Sequence, residues 1–170
     1  MKVEFELVSP SEPYFHIVKT LLNQYLDGVE QEHLDLSGMA DNIVERASIG
    51  SVIASSLGDE DPELNPKYAK LSDEEFDKIA LKYNATRDVY GVTTLLSLTW
   101  SKNKLPYLTS IYEYITNKAE VYCDKAAELK QLLKNKNVAL LVNERLVNMP
   151  ALLIPPLHEQ LPGDLEFTVE

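Results

Sequence analysis

The chain has 170 residues, 45% of them hydrophobic, which is enough for one domain with a core of its own. Lys and Arg number 16 against 27 Asp and Glu, a net charge of −11. So acidic a chain is a poor candidate for direct phosphate-backbone binding, which needs clustered cations. The glycines Gly28, Gly38, Gly50, Gly58, Gly91 and Gly163 are too scattered for a G-x-G turn or a P-loop. One cysteine, Cys123, excludes an intrachain disulfide and a CxxC zinc site. No apolar run reaches the length of a membrane span, and MKVEFELV is too short and too acidic for a signal peptide. The expectation is a soluble acidic protein of a reducing compartment.

Residues 3–8 alternate, with Val3, Phe5 and Leu7 on one face and Glu4 and Glu6 on the other, which predicts a half-buried strand. Ser9-Pro10-Ser11-Glu12-Pro13 breaks it, with Ser11 or Glu12 as cap and Pro13 in the first turn of a helix from Tyr14 to Leu26. Gly28 ends that helix, and Asp35 or Ser37 starts a second, carrying Leu36, Met39, Ala40, Ile43 and Val44 at helical spacing. Residues 49–57 read as a strand on the weight of Ile49, Val52 and Ile53. Residues 58–86 form an acidic, partly mobile excursion. Within it Ser72 caps a short helix whose first turn is acidic and whose apolar face is Phe76, Ile79, Ala80 and Tyr83.

Asp88–Trp100 is the clearest strand, nearly uncharged and suited to burial on both faces. The spacing from Leu108 to Leu133 predicts one long helix over Pro106–Lys134. Residues 138–142 form a short apolar strand. Asn148-Met149-Pro150 turns the chain into a last helix through about Gln160, which Pro155-Pro156 would bend. A strand, one long helix and another apolar strand make a β-α-β unit, so the last two strands are expected to run parallel.

His16, His33 and His158 lack the spacing of a metal site, and the simplest role of His16 is to cap or line its helix. Cys123 lies in the middle of the expected long helix, a poor place for a nucleophile and a good one for a packed or idle thiol. There is no G-x-S-x-G. Asp59–Glu63 resembles the start of a calcium loop, but Leu64 and Lys70 stand where an EF-hand needs Gly and Glu. The eight acids Asp59, Glu60, Asp61, Glu63, Asp73, Glu74, Glu75 and Asp77 face only Lys67, Lys70 and Lys78 within 59–78. They are either a solvated loop or a docking surface for a basic partner. Glu144 and Arg145, directly after an apolar strand, most simply hold the turn that follows.

The run from Asn137 to Leu161 resembles the most characteristic segment of the BCCIP/BCP family, eukaryotic nuclear proteins of the ribosomal-protein-chaperone type. The matching residues are Glu144-Arg145-Leu146-Val147-Asn148-Met149-Pro150, then Pro155-Pro156-Leu157-His158. Three weaker stretches agree in order: Tyr14–Leu22, Leu36–Ile43 and Asp88-Val89-Tyr90-Gly91. Asn143 stands where the family pattern has Ser, and the excursion is longer than the family's. The family continues past a position like Glu170, so the chain is expected to be a fragment, a reduced member or a remote relative, and a missing C-terminal hairpin would leave a sheet edge to be covered.

The resemblance implies an α/β (α+β) fold, GNAT-like, with a central mixed sheet flanked by helices and without an acetyl-CoA loop. Residues 1–170 would then be a single domain. Where a cofactor loop would lie, Trp100 to Pro106 carry no glycine, and Pro106 removes a backbone donor, so no cofactor is expected. The resemblance further implies a non-enzymatic escort of a basic client, a large-subunit ribosomal protein, in the nucleus and shuttling to the cytoplasm. Glu144, Arg145, Asn148 and Pro150 are then structural, and the eight acids of 59–77, on their charge alone, are the candidate surface for the client. Two other readings fit the same residues: an acyl-CoA-dependent acetyltransferase with an eroded loop, and a structural subunit that completes a partner's sheet.

Overall fold

The computed structural model describes residues 4–26, 34–56, 58–98, 105–135, 137–147 and 149–169. Four strands form one sheet in the order β1 (Phe5–Val8), β2 (Ser51–Ser55), β3 (Val89–Ser97) and β4 (Ala139–Arg145). Among the described residues six α-helices accompany it: α1 (Phe15–Tyr25), α2 (Leu36–Glu45), α3 (Asp73–Asn84), α4 (Pro106–Tyr122), α5 (Ala126–Asn135) and α6 (Ile154–Val169). The α and β elements mix as expected, but every strand pairing is antiparallel.

The expected parallel pair is therefore corrected. Ser97, the last residue of β3, lies opposite Ala139, the first of β4, and Gly91 lies opposite Arg145. The cause is the connection between them. The expected single helix is two, broken at Cys123, whose backbone is extended at φ −124° and ψ 120°. One helix would carry the chain along the sheet once. A helical hairpin carries it out and back, so β4 enters at the end where β3 left. Val121, Tyr122 and Cys123 are weak helix formers, and Asp124 favours turns, which accounts for the break.

The two faces of the sheet differ. On one, Val52, Val92, Leu96 and Val142 pack against Val18, Leu21 and Leu22 of α1, Met39 and Ile43 of α2, and Leu108 and Ile111 of α4. On the other, Ile53 packs with Met149 and Leu157, flanked by Phe5, Leu7 and Tyr90. Helix α6 covers this second face and is tied to it by side chains: Gln160 to the Ser51 hydroxyl, and the Asp164 carboxylate accepting from the Gly50 amide at 3.1 Å. Pro155 and Pro156 occupy the first turn of α6, where no backbone donor is needed. Pro162 lies inside the helix, which continues past Gln160 to Val169.

Two glycines are required by position. Gly50 has φ +89°, and a Cβ there would lie 2.4 Å from the Thr93 carbonyl oxygen. Gly91 sits beside a bulge in which Ile53 pairs with Gly91 but Ala54 pairs with Val89. A Cβ on Gly91 would press on the Glu144 carbonyl at 3.0 Å and on Arg145 Cβ at 3.1 Å. The small residue of the Asp88–Gly91 motif thus lets three strands close on one another.

Candidate functional site: the acidic lobe between β2 and β3

Residues 58–86 leave the sheet after β2 and return at β3 as a lobe of two short 3-10 turns, Gly58–Glu60 and Pro66–Tyr68, followed by α3. The predicted cap is present. Ser72 and Glu75 form a reciprocal capping box, with Glu75 accepting from the Ser72 hydroxyl at 2.8 Å and the Ser72 amide at 3.2 Å. Those two bonds hold the Glu75 carboxyl below the usual glutamate range. Asp73, Glu74 and Glu75 all lie in the first turn, where the helix dipole favours negative charge. The predicted apolar face of Phe76, Ile79, Ala80 and Tyr83 is half-buried, and no α3 residue is fully buried.

The eight predicted acids divide by what they do. Asp61 accepts from the Glu63 amide at 2.8 Å, Glu74 pairs with Lys78 at 2.9 Å, and Glu75 serves the cap. Glu60, Glu63, Asp73 and Asp77 are exposed and make no side-chain bond or ion pair with a described residue. The side chain of Asp59 lies outside the described residues.

Sequence reasoning passed over the group that anchors the lobe. Arg87, at its return end, is 8% exposed. Its Nε donates to the Ser55 carbonyl at 2.8 Å and its Nη2 pairs with the Glu6 carboxylate, which also accepts from Ser56. Its guanidinium lies 5.6 Å from the centre of the Tyr83 ring, so helix α3 and the β1–β2 end share one cation. Burial raises the neighbouring Tyr14 hydroxyl to about 12, against the opposing pull of Arg87. The available signal was a charged residue placed just before an uncharged strand. Such a residue is buried only with a partner, and Glu6, on the polar positions of β1, is that partner.

The motif 144–158 is brought together across β4 and α6. Glu144 and Arg145 are the last two residues of β4, not residues following it, and Arg145 is exposed. Glu144 lies near Tyr25, whose hydroxyl donates to the Leu141 carbonyl at 3.0 Å; burial first and Glu144 second raise its pKa. Asn143, accepting from Thr93 Oγ1 at 3.1 Å, has its Nδ2 3.1 Å from His158 Nε2. The strand half and the helix half of the motif therefore meet. Pro150 precedes the short turn Ala151–Leu153, and Asn148 lies outside the described residues.

The remaining candidates are dispersed. His16 stands exposed on α1 and His158 on α6, while His33 lies outside the described residues, as do Gly28 and the Trp100–Lys104 segment. Among the described residues no three His, Cys, Asp or Glu are placed to hold a metal ion, and no helix is long and apolar enough to cross a membrane. Cys123 is neither mid-helix nor packed: it is exposed at the end of α4.

The BCCIP family's sequence model matches residues 1–170. BCP1 of Gibberella zeae is 30% identical over 171 residues, covering 100% of this chain and 50% of that protein. Bcp1 of Schizosaccharomyces pombe is 30% identical over 172 residues, covering 99% and 51%. The BCCIP homolog of Arabidopsis thaliana is 28% identical over 174 residues, covering 100% and 43%. The chain thus spans about half the length of the curated relatives it matches. The crystal structure of BCP1 from Saccharomyces cerevisiae superposes with a TM-score of 0.57 at 18% identity, covering 100% of this chain and 60% of that one. None of these names is that of an enzyme. The resemblance carried by the 144–158 motif thus extends along the whole sequence, and the chain belongs to the BCCIP family.

Proposed function

We propose that this chain is a non-enzymatic binding protein that shields a basic protein client through the acidic lobe. The observation that carries the reading is the lobe itself, with eight acids against three lysines within 59–78 and its outward carboxylates mounted on a sheet by one buried cation. Such a surface attracts cationic segments over a distance of about a Debye length, roughly 8–10 Å at moderate salt. Neutralising the client would keep it soluble and away from RNA until release. The client class, a large-subunit ribosomal protein, and the nuclear, shuttling location come from the family resemblance. So does a GNAT-like fold without an acetyl-CoA loop, supported by the lack of glycine from Trp100 to Pro106. Capture of partners from cell extract on the immobilised chain, with washes of rising salt, tests the reading. A basic ribosomal protein retained at low salt and released at moderate salt supports it. Absence of any basic protein at low salt overturns it.

A further inference from the structure

We infer that the acidic lobe does not bind by charge alone: it holds a short segment that joins cationic and apolar side chains, seated in a groove next to Leu64. This rests on the escort reading and locates its binding site. The groove has a volume of about 520 Å³. That is the size of a small-ligand cleft and fits a few side chains of an extended segment, not a globular face. Leu64, Leu71, Phe76 and Tyr68 are among the residues that line it, and Glu63 and Asp73 line it as well.

Three features set it apart from a solvated loop. Leu64 is 69% exposed, although the chain around it is otherwise polar, and it stands beside half-buried Leu71 and Phe76. Glu63 and Asp73 are exposed carboxylates of the same groove and make no side-chain bond or ion pair with a described residue. The cation Lys67 is turned to the ring of Tyr68, which also lines the groove, 4.5 Å from its centre, so one cation stands there against two carboxylates. An apolar surface with two carboxylates against one cation in or beside its lining complements a segment in which Lys or Arg flank Leu or Phe. A second copy of this chain is a poor occupant, because it would bring the same acidic lobe, and a net charge of −11, against the first.

The test uses the whole chain and two fluorescein-labelled peptides of equal charge, Lys-Arg-Leu-Phe-Lys-Arg and Lys-Arg-Gly-Gly-Lys-Arg, titrated by fluorescence anisotropy at low salt. The Leu-Phe peptide should bind about tenfold tighter than the Gly-Gly peptide. Leu64→Ser should remove most of that tenfold and leave the Gly-Gly peptide within about twofold. Glu63→Gln should weaken both peptides by a similar small factor, and Glu128→Gln, on the surface of α5, should weaken neither. Leu64 is exposed, so thermal melting of Leu64→Ser should match the parent and exclude unfolding as the cause. Equal binding of the two peptides, or a Leu-Phe peptide indifferent to Leu64→Ser, overturns the groove and leaves the escort reading standing. Failure of both peptides to bind at low salt overturns the escort reading and the groove with it.

Discussion

Along α1, Val18, Leu21 and Leu22 are wholly buried, whereas along α3, from Asp73 to Asn84, no residue is. The two helices are of similar length and both are amphipathic, yet they serve different ends. Helix α1 is fixed by apolar surface removed from water against the sheet. Helix α3 is held by a face that is only half-buried, by its own capping box and first-turn acids, and by one shared cation, Arg87. The contrast separates a scaffold, where a change in volume is costly, from a lobe whose outer surface can change with little effect on the fold.

The largest effect that would test this contrast is in the core. Leu21→Ala should cost about 2–5 kcal/mol of stability in urea unfolding, while Leu64→Ala should stay within about 0.5 kcal/mol. Equal losses would erase the distinction between the two regions. Next comes the anchor. Arg87→Met leaves the Ser55 carbonyl without its side-chain donor and Glu6 without its counter-charge, with only the Ser56 hydroxyl to bind it. A fully buried pair broken on one side loses about 3–5 kcal/mol. The Glu6 side chain is 32% exposed, so a loss of about 2–3 kcal/mol is expected after allowance for solvent screening. Hydrogen exchange should quicken first in α3, with the α1 amides following only at global unfolding. Uniform quickening would show that Arg87 belongs to the core and not to the lobe's attachment.

Alkaline titration sharpens the same boundary. Burial raises both Tyr14 and Tyr107 from 10.0 to about 12 in the folded chain. Between those values the unfolded chain loses a proton that the folded chain keeps, so stability is complete below pH 10 and declines as pH rises toward 12. Each tyrosine contributes on the order of 2 kcal/mol to that decline. Tyr14→Phe should flatten the profile by its share, and an unchanged slope would contradict the burial of its hydroxyl. The smallest effect lies in the lobe. Ser72→Ala should cost about 1 kcal/mol, confined to α3. Because the Glu75 carboxyl is held below its ordinary 4.5, the cap's charge-dependent part is present above that value. It fades as pH falls through the lowered one, readable as a loss of helical circular dichroism at acid pH.

Much of the scaffold was legible because its elements carry strong local signals. The alternation at Phe5 and Leu7, the uncharged β-branched run of β3, and Asp35, whose carboxylate accepts from the Gly38 amide at 2.8 Å, all describe what formed. The direction of β4 was not legible. The apolar stripe from Leu108 through Tyr122 to Leu133 keeps its spacing straight across the break, so periodicity cannot register that Cys123 is extended. Tyr122, placed on the buried stripe by that spacing, is 78% exposed at the hairpin's tip. The acids of the candidate site were legible as composition, since charge needs no geometry to be counted. The ion pair between Glu6 and Arg87 was not, because it joins residues 81 apart in sequence. The groove beside Leu64 was not, because a single leucine in a polar loop has no period.

The most direct test of the escort account is binding by a chain whose lobe has lost its charge and nothing else. Asp59, Asp61, Asp73 and Asp77 would be changed to Asn, and Glu60, Glu63 and Glu74 to Gln, keeping Glu75 for the cap and the side-chain oxygen of residue 61 for its turn. The basic protein captured from extract would be titrated against parent and neutralised chains at two salt concentrations. The account predicts that the neutralised chain keeps the parent's core, losing only about 0.3–1 kcal/mol for each of the first-turn acids Asp73 and Glu74, binds far more weakly, and loses most of the salt dependence. Equal affinity with an equal salt slope would place the client on another face and contradict the role given to the lobe.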